Sequence, residues 1–144
     1  MSHGTDPDIA VAREADRDAV VALWRACGLT RPWNNPVVDF DSAIGNAASD
    51  ILLLRDGDTL IASVMVGFDG HRGWVYYLAV DPAQRRKGLG KRMMDAAEAW
   101  LRERGAPKIQ LMVRGDNADV IAFYEALGLE HQPVATLGRR LDNG

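Results

Sequence analysis

Between residues 74 and 113 the chain carries a strand, a long amphipathic helix and a second strand, and this succession restricts the fold more than any other feature. Trp74-Val75-Tyr76-Tyr77-Leu78-Ala79-Val80 is rich in aromatic and β-branched residues, the composition of a strand inside a sheet, and Asp81-Pro82 stops it. From Gly88 to about Arg104, Leu89, Met93, Ala96, Ala97, Trp100 and Leu101 recur on one helical stripe, and Gly105 and Pro107 terminate it. Lys108 to Val113 reads as a strand again. A helix between two strands demands a crossover, so those two strands are predicted to be parallel.

The remaining elements are shorter. Ile9 and Val11 alternate with Ala10 and Ala12, which predicts a strand over Asp8–Arg13. Asp16 can cap a helix to about Cys27, with Ala19, Val20, Leu23 and Trp24 at helical spacing and Gly28 at its end. A second helix is expected over Asp39–Ala48, presenting Phe40, Ala43, Ile44 and Ala47. Strands over Ile51–Arg55 and Leu60–Phe68 flank the turn signal Asp56-Gly57-Asp58, and Asp69–Gly73 is a second turn. Asn117–Leu127 is a helix closed by Gly128, and Val134–Leu141 is expected to be a last strand. The order β-α-α-β-β-β-α-β-α-β predicts an α+β fold, a mixed and mostly antiparallel sheet with helices on both faces. A length of 144 residues suits one domain over 1–144, with residues 1–7 as a flexible tail.

Several function classes are set aside by composition. The net charge is −3 and the basic residues form no long run, so no nucleic-acid partner is expected. No segment approaches a membrane span, and the polar, acidic start lacks a secretory signal, which leaves the cytoplasm as the expected location. One cysteine, Cys27, excludes an internal disulfide and sits in an apolar helical run, as a structural thiol would. His3, His71 and His131 are isolated from one another and from Cys27, so no metal site is expected.

Chemistry concentrates after Val80, in Asp81-Pro82-Ala83-Gln84-Arg85-Arg86-Lys87-Gly88-Leu89-Gly90. The first-turn N–H groups of the helix that follows lack intrahelical partners, and they and the helix dipole favour an anion. Gly88 and Gly90 let backbone approach a phosphate closely, and Arg85, Arg86 and Lys87, followed by Lys91 and Arg92, supply positive charge. A Walker loop would need glycine at Arg85 and a hydroxyl residue at Arg92; a dinucleotide fingerprint would need a small residue at Met93. Neither pattern is met. R-x-x-G-x-G on a strand-to-helix turn is met in full.

Arg85–Gly90, with Leu78-Ala79-Val80-Asp81-Pro82 upstream, resembles motif A of the GNAT superfamily of N-acetyltransferases. Asn117–Leu129 resembles that superfamily's N-x-x-A-x-x-F-Y-x-x-x-G-F segment, with Ile121 at the usual alanine and Leu129 at the final aromatic. Leu23-Trp24, Arg31-Pro32-Trp33-Asn34, Asp69–Gly73, Tyr76-Tyr77-Leu78 and Pro107–Gln110 look like the YpeA group of bacterial GNAT proteins.

The resemblance implies acetyl-CoA as donor cosubstrate, an amine-bearing small molecule or protein as acceptor, and direct attack in a ternary complex. It implies a pantetheine arm lying along Leu78, Ala79 and Val80, with a backbone N–H near Leu78 as oxyanion donor, and a diphosphate over Arg85, Arg86, Lys87, Gly88, Leu89 and Gly90. Asn117 would contact the arm as well as cap its helix, and Tyr124 would protonate the departing thiolate. The acceptor pocket would be shaped by Arg31, Trp33, Asn34, Tyr76 and Tyr77, although Trp33 could equally pack down as a lid on the core. Two sheet positions that often carry a carboxylate in these enzymes fall on Trp74 and Met112, neither of which accepts a proton. That leaves Asp39, Asp41, Asp69, His71 or a relayed water as base candidates. It also keeps open a non-catalytic acyl-CoA sensor, while a CoA-unrelated phosphate binder rests on the loop alone. A homodimer through the last strands is a further expectation.

Overall fold

The computed structural model describes residues 6–142, and its sheet follows the hairpins and the crossover read from the sequence. Five strands, β1 (Ile9–Val11), β2 (Ser49–Asp56), β3 (Thr59–Phe68), β4 (Gly73–Val80) and β5 (Ile109–Leu111), lie in chain order across the sheet. The first three pairings are antiparallel and β4 with β5 is parallel. Helices α1 (Arg17–Ala26), α2 (Pro36–Ile44) and α3 (Leu89–Glu103) belong with the sheet to one compact unit that ends at Leu111. A second unit begins at Met112 and contains helix α4 (Ala118–Ala126). The fold is the expected mixed α+β sheet with helices on its faces. Residues 1–5 of the expected tail lie outside the described residues, while Arg92 grips the Asp6 carboxylate through two hydrogen bonds of 2.9 and 3.0 Å.

Strand alternation sorts the core into two layers. Ile51 and Leu53 join Val20, Leu23 and Trp24 of α1 and Phe40 and Ala43 of α2 in one buried cluster. Leu52 and Leu54 point the opposite way and are equally buried, and α3 covers that side with Leu89, Met93, Ala97, Trp100 and Leu101. Trp100 also donates its indole N–H to Asp50 at 2.9 Å, and the Arg104 guanidinium lies 3.5 Å above its ring.

Three expectations need correction. The second helix starts at Pro36, not Asp39, because the Asn35 side chain accepts from Val37 and Val38 N–H and Pro36 is pre-set for the first helical position. It ends at Ile44, where Gly45 follows. The strand expected over Lys108–Val113 contracts to Ile109–Leu111. The last strand over Val134–Leu141 does not form, and its apolar residues Val134, Leu137 and Leu141 are exposed. Their spacing of three and four residues is not the period of two that a half-buried strand requires, and Gly138 interrupts the run. The dimer edge expected there has no strand to supply it.

Gly73 marks where β4, β5 and α3 meet. A Cβ placed on it would come within 2.6 Å of both Leu101 methyls and 2.9 Å of the Lys108 carbonyl, which accepts the Gly73 N–H at 2.8 Å. Gly73→Ala is therefore expected to destabilise the protein by about 2 kcal/mol through overpacking, read as a lower midpoint in urea at unchanged slope.

Candidate functional site: an interrupted strand and the loop beyond it

β4 pairs with β5 only over Gly73–Val75, so from Tyr76 onward its outer edge carries no neighbouring strand. On its inner edge the register with β3 slips between Ser63 and Met65: Ser63 faces Ala79 and Met65 faces Tyr76, which leaves Tyr77 and Leu78 without registered partners. Tyr77 takes φ 51°, a left-handed conformation that a bulky residue adopts only under constraint. Asp81 N–H bonds the Ile61 carbonyl at 2.8 Å. By antiparallel alternation the Val80 backbone groups therefore face away from β3, toward the open edge. The Val80 carbonyl already accepts one hydrogen bond, from the Cys27 thiol at 3.2 Å. Cys27 is half-buried and free, in keeping with a structural thiol.

Beyond Val80, the Asp81 carboxylate caps a short turn over Pro82–Gln84 by accepting from Ala83 N–H at 2.9 Å. Arg86 and Gly88 then adopt left-handed φ values of 68° and 75°, separated by one residue. Alternating handedness of this kind turns successive N–H groups toward one concavity, an anion nest. The first hydrogen bond of α3 runs from Arg92 N–H to the Gly88 carbonyl, so the N–H groups of Leu89, Gly90 and Lys91 stand outside the helical ladder. No acidic residue occupies the first turn of α3.

The cation cluster is smaller than the sequence suggests. Arg92 is spent on Asp6 and Asp8, Lys91 on Asp95 one turn along, and Lys87 donates to Gln84. Arg85 and Arg86 are exposed and form no ion pair among the described residues.

The residues expected to shape an acceptor pocket fall on β4 and on the loop between α1 and α2. Tyr77 stacks on Trp24 at 4.0 Å and donates its hydroxyl to Asp39 Oδ2 at 2.6 Å. Burial, reinforced by that carboxylate, pushes the Tyr77 phenol well above its ordinary pKa. Tyr76 is exposed and lies parallel to Trp74, whose indole N–H donates to Asp69 at 3.0 Å. Arg31 folds back to donate to the Gly28 and Thr30 carbonyls, while Trp33 is half exposed rather than packed down as a lid. Asn34 is exposed on the same loop.

In the second unit, Asn117 caps α4 by accepting from Val120 N–H at 3.3 Å. Tyr124 is half-buried, meets the Phe123 ring edge-on at 5.0 Å, and has its pKa pushed up by burial to about 12. Met112 is exposed. Among the described residues no group of histidine, cysteine or carboxylate side chains could hold a metal ion, and no helix is long and apolar enough to cross a membrane.

A family model described as the acetyltransferase (GNAT) family matches residues 10–129. The chain belongs to this family. Solved structures agree on the fold. One is AAC(6')-Iy in complex with the bisubstrate analogue CoA-S-monomethyl-acetylneamine, at TM-score 0.79 and 14% identity over 92% of this chain and 97% of that one. Another is the ribosomal-protein-S18-alanine N-acetyltransferase of Escherichia coli, at TM-score 0.72 and 26% identity over 83% and 75%. A third is the ribosomal-protein-alanine N-acetyltransferase of Brucella melitensis, at TM-score 0.74 and 20% identity over 92% and 98%.

Within this GNAT chain, two contacts had no signal in the sequence. The Tyr77–Asp39 bond joins residues 38 positions apart, and the helical spacing of Trp24 gives no sign that Tyr77 stacks on its ring. The raised Tyr124 pKa gives a signed expectation. The folded state holds the phenolic proton to about pH 12, whereas an unfolded tyrosine releases it near 10. Stability from this group is complete below pH 10 and falls as pH rises toward 12. Wild type should lose about 2 kcal/mol more than Tyr124→Phe between pH 9.5 and 11.5, measured by denaturant melts.

Proposed function

We propose that the chain transfers an acetyl group from acetyl-CoA to a primary amine by direct attack in a ternary complex. One observation carries this: the half of β4 that lacks an outer neighbour is followed, across the loop of residues 81–88, by N–H groups of α3 that stand outside the helical ladder. A backbone edge offering strand-like hydrogen bonds, continued by an anion nest, fits a ligand with an amide-bearing arm joined to a diphosphate. Acetyl-CoA supplies the activated acyl group as a thioester. The protein's part is to hold and polarise it. Leu78, Ala79 and Val80 line the arm, and the Leu78 N–H, freed from pairing at the slip in register, serves as oxyanion donor. Arg85, Arg86 and Lys87 neutralise the diphosphate over Gly88, Leu89 and Gly90. Cys27 leaves the second lone pair of the Val80 carbonyl available to an amide N–H.

Asn117 and Tyr124 take the roles their motif implies, contact with the arm and hydrogen-bond donation to the leaving sulfur. With a pKa of about 12, Tyr124 is never a base at neutral pH, and it stabilises the thiolate better by donating a hydrogen bond than by full proton release. Arg31, Trp33, Asn34, Tyr76 and Tyr77 shape the acceptor side. The chain acts as a single cytoplasmic acetyltransferase domain of the YpeA-like group. Aminoglycoside and ribosomal-protein amines, named for similar structures, are acceptor classes to try first. Trp74 and Met112, at positions where a carboxylate is common, favour a second reading as an acyl-CoA sensor.

Calorimetry and thiol release across an amine panel distinguish these. Acetyl-CoA should bind wild type, and replacing Arg85 and Arg86 together by alanine should weaken it at least about tenfold, as loss of charge-assisted hydrogen bonds does. Tyr124→Phe should lower kcat about a hundredfold with little change in acetyl-CoA affinity. Binding without turnover of any amine would establish the sensor; no binding at all would overturn both.

A further inference from the structure

The base that an amine acceptor needs can be placed by asking which carboxylates still have an oxygen to offer. Asp41 is bound to Arg17 at 2.8 Å. Asp69 accepts from His71 N–H, Arg72 N–H and the Trp74 indole, bonds that close its own turn and hold its pKa down. His71 sits in that exposed turn with its Nδ1 3.4 Å from the Arg72 guanidinium. Asp39 differs from all three. It lies half-buried on the first turn of α2, one oxygen accepts from Tyr77, and the other accepts nothing among the described residues. No cation is paired with it among the described residues, so its charge is not already neutralised. Its side-chain partner among the described residues is Tyr77, the residue that takes the left-handed turn at the slip in register, directly before Leu78.

We propose that Asp39 is the catalytic carboxylate for the acceptor: its free oxygen receives the substrate ammonium and takes one proton, while Tyr77 acts as a positioning residue that fixes the other oxygen. This rests on the acetyltransferase reading above. The step balances as follows. One N–H proton of the ammonium passes to Asp39, which becomes a carboxylic acid, and the nitrogen lone pair so released attacks the thioester carbonyl carbon. The C–N bond forms and the C–S bond breaks. A second N–H proton ends on the departing sulfur, and Asp39 returns its proton to solvent. The Tyr77 ring, clamped on Trp24 at 4.0 Å, holds the acceptor carboxylate in register with the interrupted strand. The acceptor class this selects is a basic alkyl amine that is an ammonium at neutral pH, since only such a substrate must give up a proton before its nitrogen can attack.

The test compares 2-phenylethylamine with 2,2-difluoro-2-phenylethylamine, nearly equal in shape but with the fluorinated amine far less basic. Asp39→Asn keeps the size and an acceptor for Tyr77 but cannot take a proton. With acetyl-CoA saturating at pH 7, it should lower kcat/KM at least about 50-fold for the basic amine and only a few-fold for the fluorinated one. The acetyl-CoA Kd should stay within twofold. Tyr77→Phe keeps the stack on Trp24 and should lose about fivefold in kcat on the basic amine alone; it carries the test if Asp39→Asn fails to fold. Asp41→Asn is the control and should match wild type. Equal loss on both amines in either variant, or no loss, would overturn the assignment. So would a wild type that binds acetyl-CoA and acetylates neither amine. A wild type that does not bind acetyl-CoA marks failure of the underlying reading instead.

Discussion

Strand β4 is paired on one edge along most of its length and on the other only as far as Val75, and the candidate site depends on that asymmetry. Backbone N–H and C=O groups are obligatory hydrogen-bonding groups, so a strand that lets one neighbour go must find other partners or face solvent. Here the release coincides with a slip against β3 and with the positive φ of Tyr77, a conformation that costs on the order of 1–3 kcal/mol for a bulky residue. The surroundings hold it in place: the Tyr77 ring lies flat on Trp24 and its hydroxyl is tied to Asp39. Two buried polar atoms that lack partners among the described residues, Ser63 Oγ at the slip and Trp24 Nε1 beneath the ring, belong to the same neighbourhood. Strain and unsatisfied polarity gathered at one point of a sheet mark a place shaped for something other than stability.

Charge is distributed with the same economy. Five cations fall between Arg85 and Arg92, yet three already have partners, and only Arg85 and Arg86 remain uncommitted among the described residues. Their position beside the free N–H groups of α3 suits a compact anion, because the donors converge on one helix end rather than tracking along a face. Arg92 serves architecture instead, holding Asp6 and Asp8 at the entry to β1.

Local rules made the sheet and its crossover readable from the residues. Asp56-Gly57-Asp58 declared a hairpin, and the stripe from Leu89 to Leu101 declared the helix that forces β4 and β5 parallel. The loop motif was equally local: it marked the turn ahead of α3, where Arg86 and Gly88 take left-handed φ values. What stayed hidden is non-local or depends on a cap. Helix α2 begins at Pro36 because Asn35 folds over its first turn, a choice that the apolar spacing of Phe40, Ala43 and Ile44 could not reveal. The slip at Tyr77 leaves no mark in the residues of β4, where only the family resemblance implies a bulge, and nothing in the sequence pairs position 39 with position 77. Val134, Leu137 and Leu141 misled in the other direction: apolar residues without period two do not make a strand.

In the proposed reaction, the cap on α2 links acceptor recognition to proton removal. Asn35 and Pro36 set where the helix starts, and the start sets how far along the first turn Asp39 stands. The same short loop carries Trp33 and Asn34, and Arg31 braces it by bonding its own carbonyls at Gly28 and Thr30. A shift of one residue in this loop would turn Asp39 by about 100° around the helix, given 3.6 residues per turn, and carry it off Tyr77. Acceptor-side shape and the placement of the carboxylate are therefore one structural variable, and through the Asp39–Tyr77 bond that variable also holds the left-handed turn that frees Leu78, whereas the N-terminus of α3 is set by its own loop. In the proposed enzyme, remodelling residues 28–36 would therefore change the amine side and, through Asp39 and Tyr77, reach the thioester end of the donor, while leaving the N–H groups that open α3 untouched.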